Sequence, residues 1–221
     1  MAIAFDSVTY NVVVTASSQT FSHTNSGNTV LVGLYHFVAG NNGDLVSGIT
    51  YAGAAMTRVG TVTVNANERC YLYIKTGAAA GANNVVVSYT TNVIAETHAI
   101  SYVDAGSTQP DASSTNSGTG TSWTGNVTTI ADNSYMIMFA RGQANASGMG
   151  SGTTNRSITG NGGGVHNANN GFCDSGGVIT PAGSNTLTVT SGTSDVWATI
   201  SCSLSPPSAA VVRRLTLLGV G

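Results

Sequence analysis

Charge is what this chain most lacks. Of its 221 residues, seven are Lys or Arg and nine are Asp or Glu, 7% in all, against about 25% in an ordinary soluble domain. The basic residues form no stripe, and a protein that reads nucleic acid must neutralise many phosphates with Lys and Arg. A nucleic-acid partner is therefore excluded. A net charge of −2 also leaves little repulsion between copies, a composition suited to close assembly. Long apolar runs are missing too: nothing approaches the roughly 20 residues needed to span a bilayer, so no membrane partner is expected. No segment sustains apolar residues at spacings of three and four. The Ala-rich piece 76–82 contains two glycines, which makes a poor helix. Cysteine is scarce. Cys70, Cys173 and Cys202 are odd in number and widely spaced, which is neither a disulfide framework nor a CxxC zinc pattern. Buried thiols are the expected state, with one disulfide plus a free thiol as the alternative. The N-terminus, MAIAFDSVTYNVVV, has no basic n-region and no clear cleavage site. The expectation is a mature form, or a chain that reaches the exterior without a signal peptide, as virion proteins do through lysis. Sequons at Asn126, Asn145 and Asn155 are what chance gives in a chain this rich in Asn, Ser and Thr.

What is abundant is short β-runs between Gly/Asn/Ser clusters. Strands are predicted near 8–14, 29–37, 48–52, 56–64, 70–75, 84–90, 95–103, 126–130, 134–140, 172–180, 185–190 and 196–204. Several alternate with period two: Leu187 and Val189 oppose Thr186, Thr188 and Thr190. One buried and one wet face marks antiparallel sheets. Many such strands without helices leave a sandwich or a barrel, and their number suits a jelly roll. An immunoglobulin-like domain is the alternative, without its Cys–Trp–Cys spacing. The predicted class is an all-β, antiparallel, jelly-roll-like sandwich over residues 1–205, with an extended C-terminal arm at 206–221. Residues 116–125 and 141–171 read as loops, with one weak strand around Thr154–Thr159. Loops on a rigid scaffold commonly carry ligand contacts.

The order of strand signatures resembles a β-sandwich domain of bacterial surface proteins and phage structural proteins. The pieces are FDS at 5–7, SGNTVLVGLYHF at 26–37, GITYAGAAMTRVG at 48–60, YLYIKTGAAAGANNVVVSYTT at 71–91, AISYVDAGSTQP at 99–110 and WATISCSLSPP at 197–207. The resemblance implies a jelly-roll-like sandwich and an exterior location, and it supplies no catalytic motif. The tail beyond Pro207 lies outside it.

Candidate chemistry is sparse. Asp104, Asp111 and Asp132 read as turn formers rather than as a glycosidase pair, which needs fixed separation. Glu96 and His98 share a strand face. They offer two metal ligands or an acid–base pair if His36 or His166 joins them, and exposed polar positions otherwise. The oxygen-rich segment 104–120 holds calcium-type ligands without the carboxylate density of a strong site. No GxSxG elbow occurs, and Gly162–Gly164 lacks the Lys-Ser/Thr of a phosphate loop. No metal, cofactor or catalytic residue is assigned. Trp123, in the small-residue stretch GTGTSWTGN, is the candidate glycan contact if exposed; packing over a sandwich edge is the other reading. Trp197 reads as core. Tyr71 and Tyr73 share a face and either cover the sheet or contact a neighbouring subunit. After Pro206 and Pro207 the apolar tail needs a surface to cover. Val211, Val212, Arg213, Arg214, Leu215, Leu217 and Leu218 are the candidate assembly arm, with one more strand on the protein's own sheet as the competing reading. Together these features point to a non-enzymatic phage virion protein, a capsid decoration (cement) protein or fibre-like head or tail component. Its partners would be copies of itself, a trimer among the arrangements, and capsid or tail proteins. The alternative is a carbohydrate-binding or adhesin module on a virion or bacterial cell surface.

Overall fold

Val, Thr, Ile and Tyr fill the predicted strands, and such side chains fit a pleated surface better than a helix. The computed structural model describes residues 2–158 and 169–208, and no helix occurs among them. The seven arm residues and His166 lie outside the described residues. Thirteen strands are described: β1 (Ala4–Asn25), β2 (Thr29–Phe37), β3 (Val46–Tyr51), β4 (Ala54–Ala55), β5 (Thr57–Asn65), β6 (Glu68–Thr76), β7 (Gly81–Val103), β8 (Ala112–Thr128), β9 (Tyr135–Gly142), β10 (Ala146–Met149), β11 (Thr154–Asn155), β12 (Asn169–Asp174) and β13 (Ser184–Leu204). They form two antiparallel sheets packed on one another, an all-β sandwich. The first sheet runs β4-β3-β7-β2-β6-β5 with β1 on β7, and the second β10-β13-β9-β12-β11 with β8 on β13. Each sheet thus comes from one contiguous half of the chain.

Four strands are longer than predicted. β1 has 22 residues, β7 has 23, β8 has 17 and β13 has 21. The sequence splits β7 and β13 into two strands each, and the splits mark bends rather than breaks. Asn25 pairs with Gly81 while Thr29, just beyond, pairs with Tyr102. The chain crosses from one end of β7 to the other in a few residues, so the β1–β7 ribbon must fold back on itself. It folds where Thr15 takes a φ of 58° and the register shifts between Val13 and Ser18. The two halves of β1 then face each other. Thr9 Oγ1 is 3.0 Å from His23 Nδ1, and the Ser7 hydroxyl donates to Thr24 O. The β8–β13 ribbon folds in the same way. Its register shifts between Thr190 and Asp195, Gly120 sits at the bend with φ 155°, and Asn116 Nδ2 donates to Thr124 O at 3.2 Å.

Parity along these strands sorts apolar side chains into three cores. Between the sheets lie Leu31, Leu72 and Ile100 against Ile137, Phe139 and Ile200. Inside the fold of the first sheet, Val30, Val32 and Tyr71 meet Ile49, Val85 and Val87. Inside the second, Met136 and Met138 meet Trp123, Leu187 and Val189. The molecule is therefore four layers deep.

The two halves share one topology. β2 pairs with β6 and β7, and β9 pairs with β12 and β13. β1 runs along β7 as β8 runs along β13, and β3 and β10 each add to the first half of the long strand. Corresponding positions follow from the pairing. Gly33, between Leu72 and His98, matches Phe139, between Phe172 and Ile200. Those two matched positions touch: a Cβ at Gly33 would run into the Phe139 ring. Tyr35 and Arg141 match likewise, and the Arg141 guanidinium lies 4.6 Å from the Tyr35 ring centroid. Contacts between matched positions are what an internal two-fold produces.

Candidate functional site

The polar groups that stand out are buried between the sheets. β2 and β7 pair Tyr35 with Glu96. β9 and β12 pair Arg141 with Asn170, and stacking of the sheets brings the four together. Tyr35 donates to Glu96 Oε1 at 3.3 Å and Asn170 Nδ2 to Glu96 Oε2 at 2.5 Å. Arg141 Nη2 reaches Glu68 Oε1 at 2.8 Å, with side chains 0% and 2% exposed, and another Arg141 nitrogen donates to Gly142 O. His98 lies on the same face, its ring 4.8 Å from Tyr10 and 6.1 Å from Phe139. Burial pushes its pKa down to about 4, against a smaller opposing effect of Asn170. The Tyr35 hydroxyl is raised by burial and then by Glu96.

Glu96 and His98 do share a face, but they are buried rather than exposed. Their environment is the partner sheet, which sequence alone does not supply. His36 cannot join them. It pairs with Ala95, hence faces the opposite side, where its Nε2 meets Gly43 O and Tyr71 Oη, each at 3.1 Å. Among the described residues no group of three His, Cys, Asp or Glu side chains could hold a metal. Glu68, Glu96, His98 and Arg141 are each 1% exposed or less, so a substrate has no route to them in this conformation. The arrangement works as an electrostatic tie between two sheets.

A second tie joins Asp174 to both halves. Its Oδ2 accepts from Tyr102 at 2.8 Å and from Arg156 Nε at 2.6 Å. Arg156 also donates to Tyr135 at 3.1 Å and lies 4.2 Å from the Phe5 ring centroid. A third cluster sits at the open end of the folded β1. Asp6 Oδ2 accepts from Ser26 N at 2.9 Å and from Ser101 Oγ at 2.6 Å. Burial opposes the Asp6 charge, but hydrogen bonds from Ser101 and Ser26 hold its carboxyl below the usual range. His23 beside it is pushed down to about 4 by burial, with Asp6 opposing.

Trp123 is not in an open loop. Residues 116–125 lie within β8, and Trp123 pairs opposite Val189 with 0% exposure. Its indole fills the space that a Cβ on Gly142 would need. No ring face is open for a sugar, which corrects its reading as a glycan contact. Trp197 is core at 7% exposure. The calcium-type segment 104–120 divides between a turn and a strand. Asp104 takes a φ of 57°, and Asp111 Oδ1 accepts from the Ser203 hydroxyl. Cys70, Cys173 and Cys202 are buried free thiols; burial pushes Cys202 up to about 12. Tyr71 and Tyr73 are buried in the first sheet's own core.

The residues that sequence reasoning missed are Glu68, Arg141, Arg156, Asn170 and Asp174. A signal was present: in a chain with so few charges, Arg141 closes MIMFAR and Asp174 closes GFCD, so each is a charge inside an apolar run. On the surface one groove of 540 Å³ is lined by Ser47, Thr50, Ser88, Met56, Tyr73 and Arg58 among others. Arg58 there makes a bidentate pair with Asp44 at 2.6 and 3.1 Å and donates to Tyr73 at 2.8 Å. Comparison with known proteins finds no matching family model, no matching curated protein and no matching solved structure.

Proposed function

We propose that the chain is a non-enzymatic structural protein of a phage virion, a capsid decoration (cement) protein or fibre-like head or tail component, assembling with copies of itself and with capsid or tail proteins. The observation that carries this reading is where the charge goes. Arg141, Glu68, Glu96 and Asp174 are consumed inside the molecule, which leaves a Ser/Thr/Asn surface and two long strands, β1 and β8, each paired on one side only among the described residues. Such a body is stiff, weakly charged and rich in unpaired sheet edge, which suits a permanent neighbour better than a transient substrate. Particles made by the genome that encodes the chain should carry it, as detected by mass spectrometry and immunogold labelling. Its absence from purified particles would overturn the reading. The tail from Ser208 onward is assigned the anchoring role, and truncation after Ser205 should release the protein from particles without unfolding it.

Carbohydrate binding is the second reading, and the groove at Arg58 favours it. Its hydroxyls and its neutral Arg–Asp pair offer the mixed donors and acceptors that sugar hydroxyls need. Binding of a neutral oligosaccharide that is abolished by Arg58→Ala would support this reading.

A further inference from the structure

We infer that residues 112–120 of β8 are the self-association surface, pairing antiparallel with the same segment of a second copy about a two-fold axis near Asn116; the inference rests on the structural reading above. A sheet edge offers a row of backbone N–H and C=O groups, and proteins normally protect it with charge, proline, bulges or brevity. β8 has none of these over its first half. Among the described residues it pairs with β13 alone, and from Ala112 to Thr128 it contains no charged residue and no proline. Its register from Ala112 opposite Ser203 to Gly120 opposite Asp195 is unbroken.

Most other edges are guarded. β10 has four residues. The second half of β1 is uncharged and unshifted from Ser18 to Asn25, but its Thr24 O already accepts from the Ser7 hydroxyl. β4 and β11 have two residues each. β5 carries Arg58 paired with Asp44 and two register shifts. β1 is shifted at Phe5/Ser7 and carries Asp6. The far half of β8 is capped from within: Thr124 O accepts from Asn116 and Thr199, and Asn126 O from Ser114. Along 113–119, the one bond found among the described residues from a backbone amide to a partner off β13 is Ser117 N to Asn116 Oδ1 at 2.9 Å, a local contact that an incoming strand can replace.

The occupant follows from the same residues. Two-fold pairing sets the side chains closest to the axis near their own copies, so a charge at 115–117 would face its like. A run of exposed Ser113, Thr115, Ser117 and Thr119 has no charge to oppose. Centred on Asn116, it sets Thr115 opposite Ser117 and Ser113 opposite Thr119, hydroxyl pairs that suit adjacent strands.

The test uses the full-length chain in light scattering across a concentration series. Wild type should be a dimer. Ser117→Lys should weaken dimerisation by at least about tenfold, as should Ser117→Asp, because each sets like charges diagonally across the axis. An equimolar mixture of the two variants should dimerise again. If Lys at 117 unfolds the chain, Thr115→Lys carries the same test, because residue 115 lies as close to the axis as residue 117. A monomeric wild type overturns the inference, and so does a dimer unaffected by either lysine. Particle binding measured in parallel separates the two ideas: a wild-type chain that still sediments with particles keeps the structural reading when the β8 interface fails, and a dimer that never binds particles fails the structural reading alone.

Discussion

Residues 4–103 and 112–204 follow one strand-pairing scheme with side chains that rarely agree. Where the first half has Gly33, the second has Phe139. Tyr35 is answered by Arg141, Glu96 by Ala198, His98 by Ile200 and Gln19 by Trp123. The topology survives because pairing and parity are backbone properties: any residue of the right face and rough size serves. Identity is decided across the interface instead. The Phe139 ring needs the missing side chain of Gly33, and Arg141 needs Glu68 and the Tyr35 ring from the other half. Two similar folds are made to fit by becoming unlike where they touch.

The sharpest way to break this comparison is at the matched pair Trp123 and Gln19. Trp123→Ala empties a fully buried site and should cost about 3–5 kcal/mol in urea unfolding. Gln19→Ala removes an acceptor used by Tyr89 and Thr97 and should cost about 1–2 kcal/mol. Equal losses at the two positions would mean that the second half has no special dependence on its indole.

Arg141 tests whether the halves are tied or merely stacked. Arg141→Met leaves Glu68 buried and unpaired, which should cost about 3–5 kcal/mol. Adding Glu68→Gln should recover a large part of that loss, because the stranded charge is then gone. If the double variant is as unstable as the single, the pair matters through packing alone. Gly33→Ala is the smaller probe of the same interface: its methyl must displace the Phe139 ring, at about 1–3 kcal/mol. Phe139→Leu in the same chain should relieve it.

The central strands were legible in the sequence because apolar runs such as TVLVGLYHF and SYMIMFA announce burial whatever their partner. The sandwich follows from them. β8 was not legible, because ASSTNSGTGTSW puts Ser, Thr, Asn or Gly on both faces, and a strand with two polar faces has the texture of a loop. The bends in β7 and β13 read as gaps at 91–94 and 191–195 for a related reason: the chain turns a corner there without leaving the ladder. The shared face of Glu96 and His98 was visible from parity, but their burial was not, since it is conferred by Asn170 and Phe139 from the other half of the chain. Trp123 was misplaced with the loop that turned out to be β8.

The histidines extend the comparison to pH. His23, His36 and His98 all lie in the first half, and burial lowers each to about 4. The unfolded chain holds these imidazoles near their ordinary 6.5. Between those values the unfolded state binds more protons than the folded one, so stability rises with pH there. Stability is therefore complete above about 6.5 and is lost as pH falls toward 4. For His98 alone the loss between pH 7 and pH 5 should be about 1–2 kcal/mol. His98→Ile places on β7 the side chain that β13 carries at the matched position, Ile200, and it should flatten the acid dependence by that amount without abolishing it. Native-state hydrogen exchange gives the finer readout. On acidification, amides of β1, β2 and β7 should lose protection before those of β9 and β13, because the protons enter the first half. Simultaneous loss in both halves would show that the interface transmits the strain and that the molecule opens as one unit.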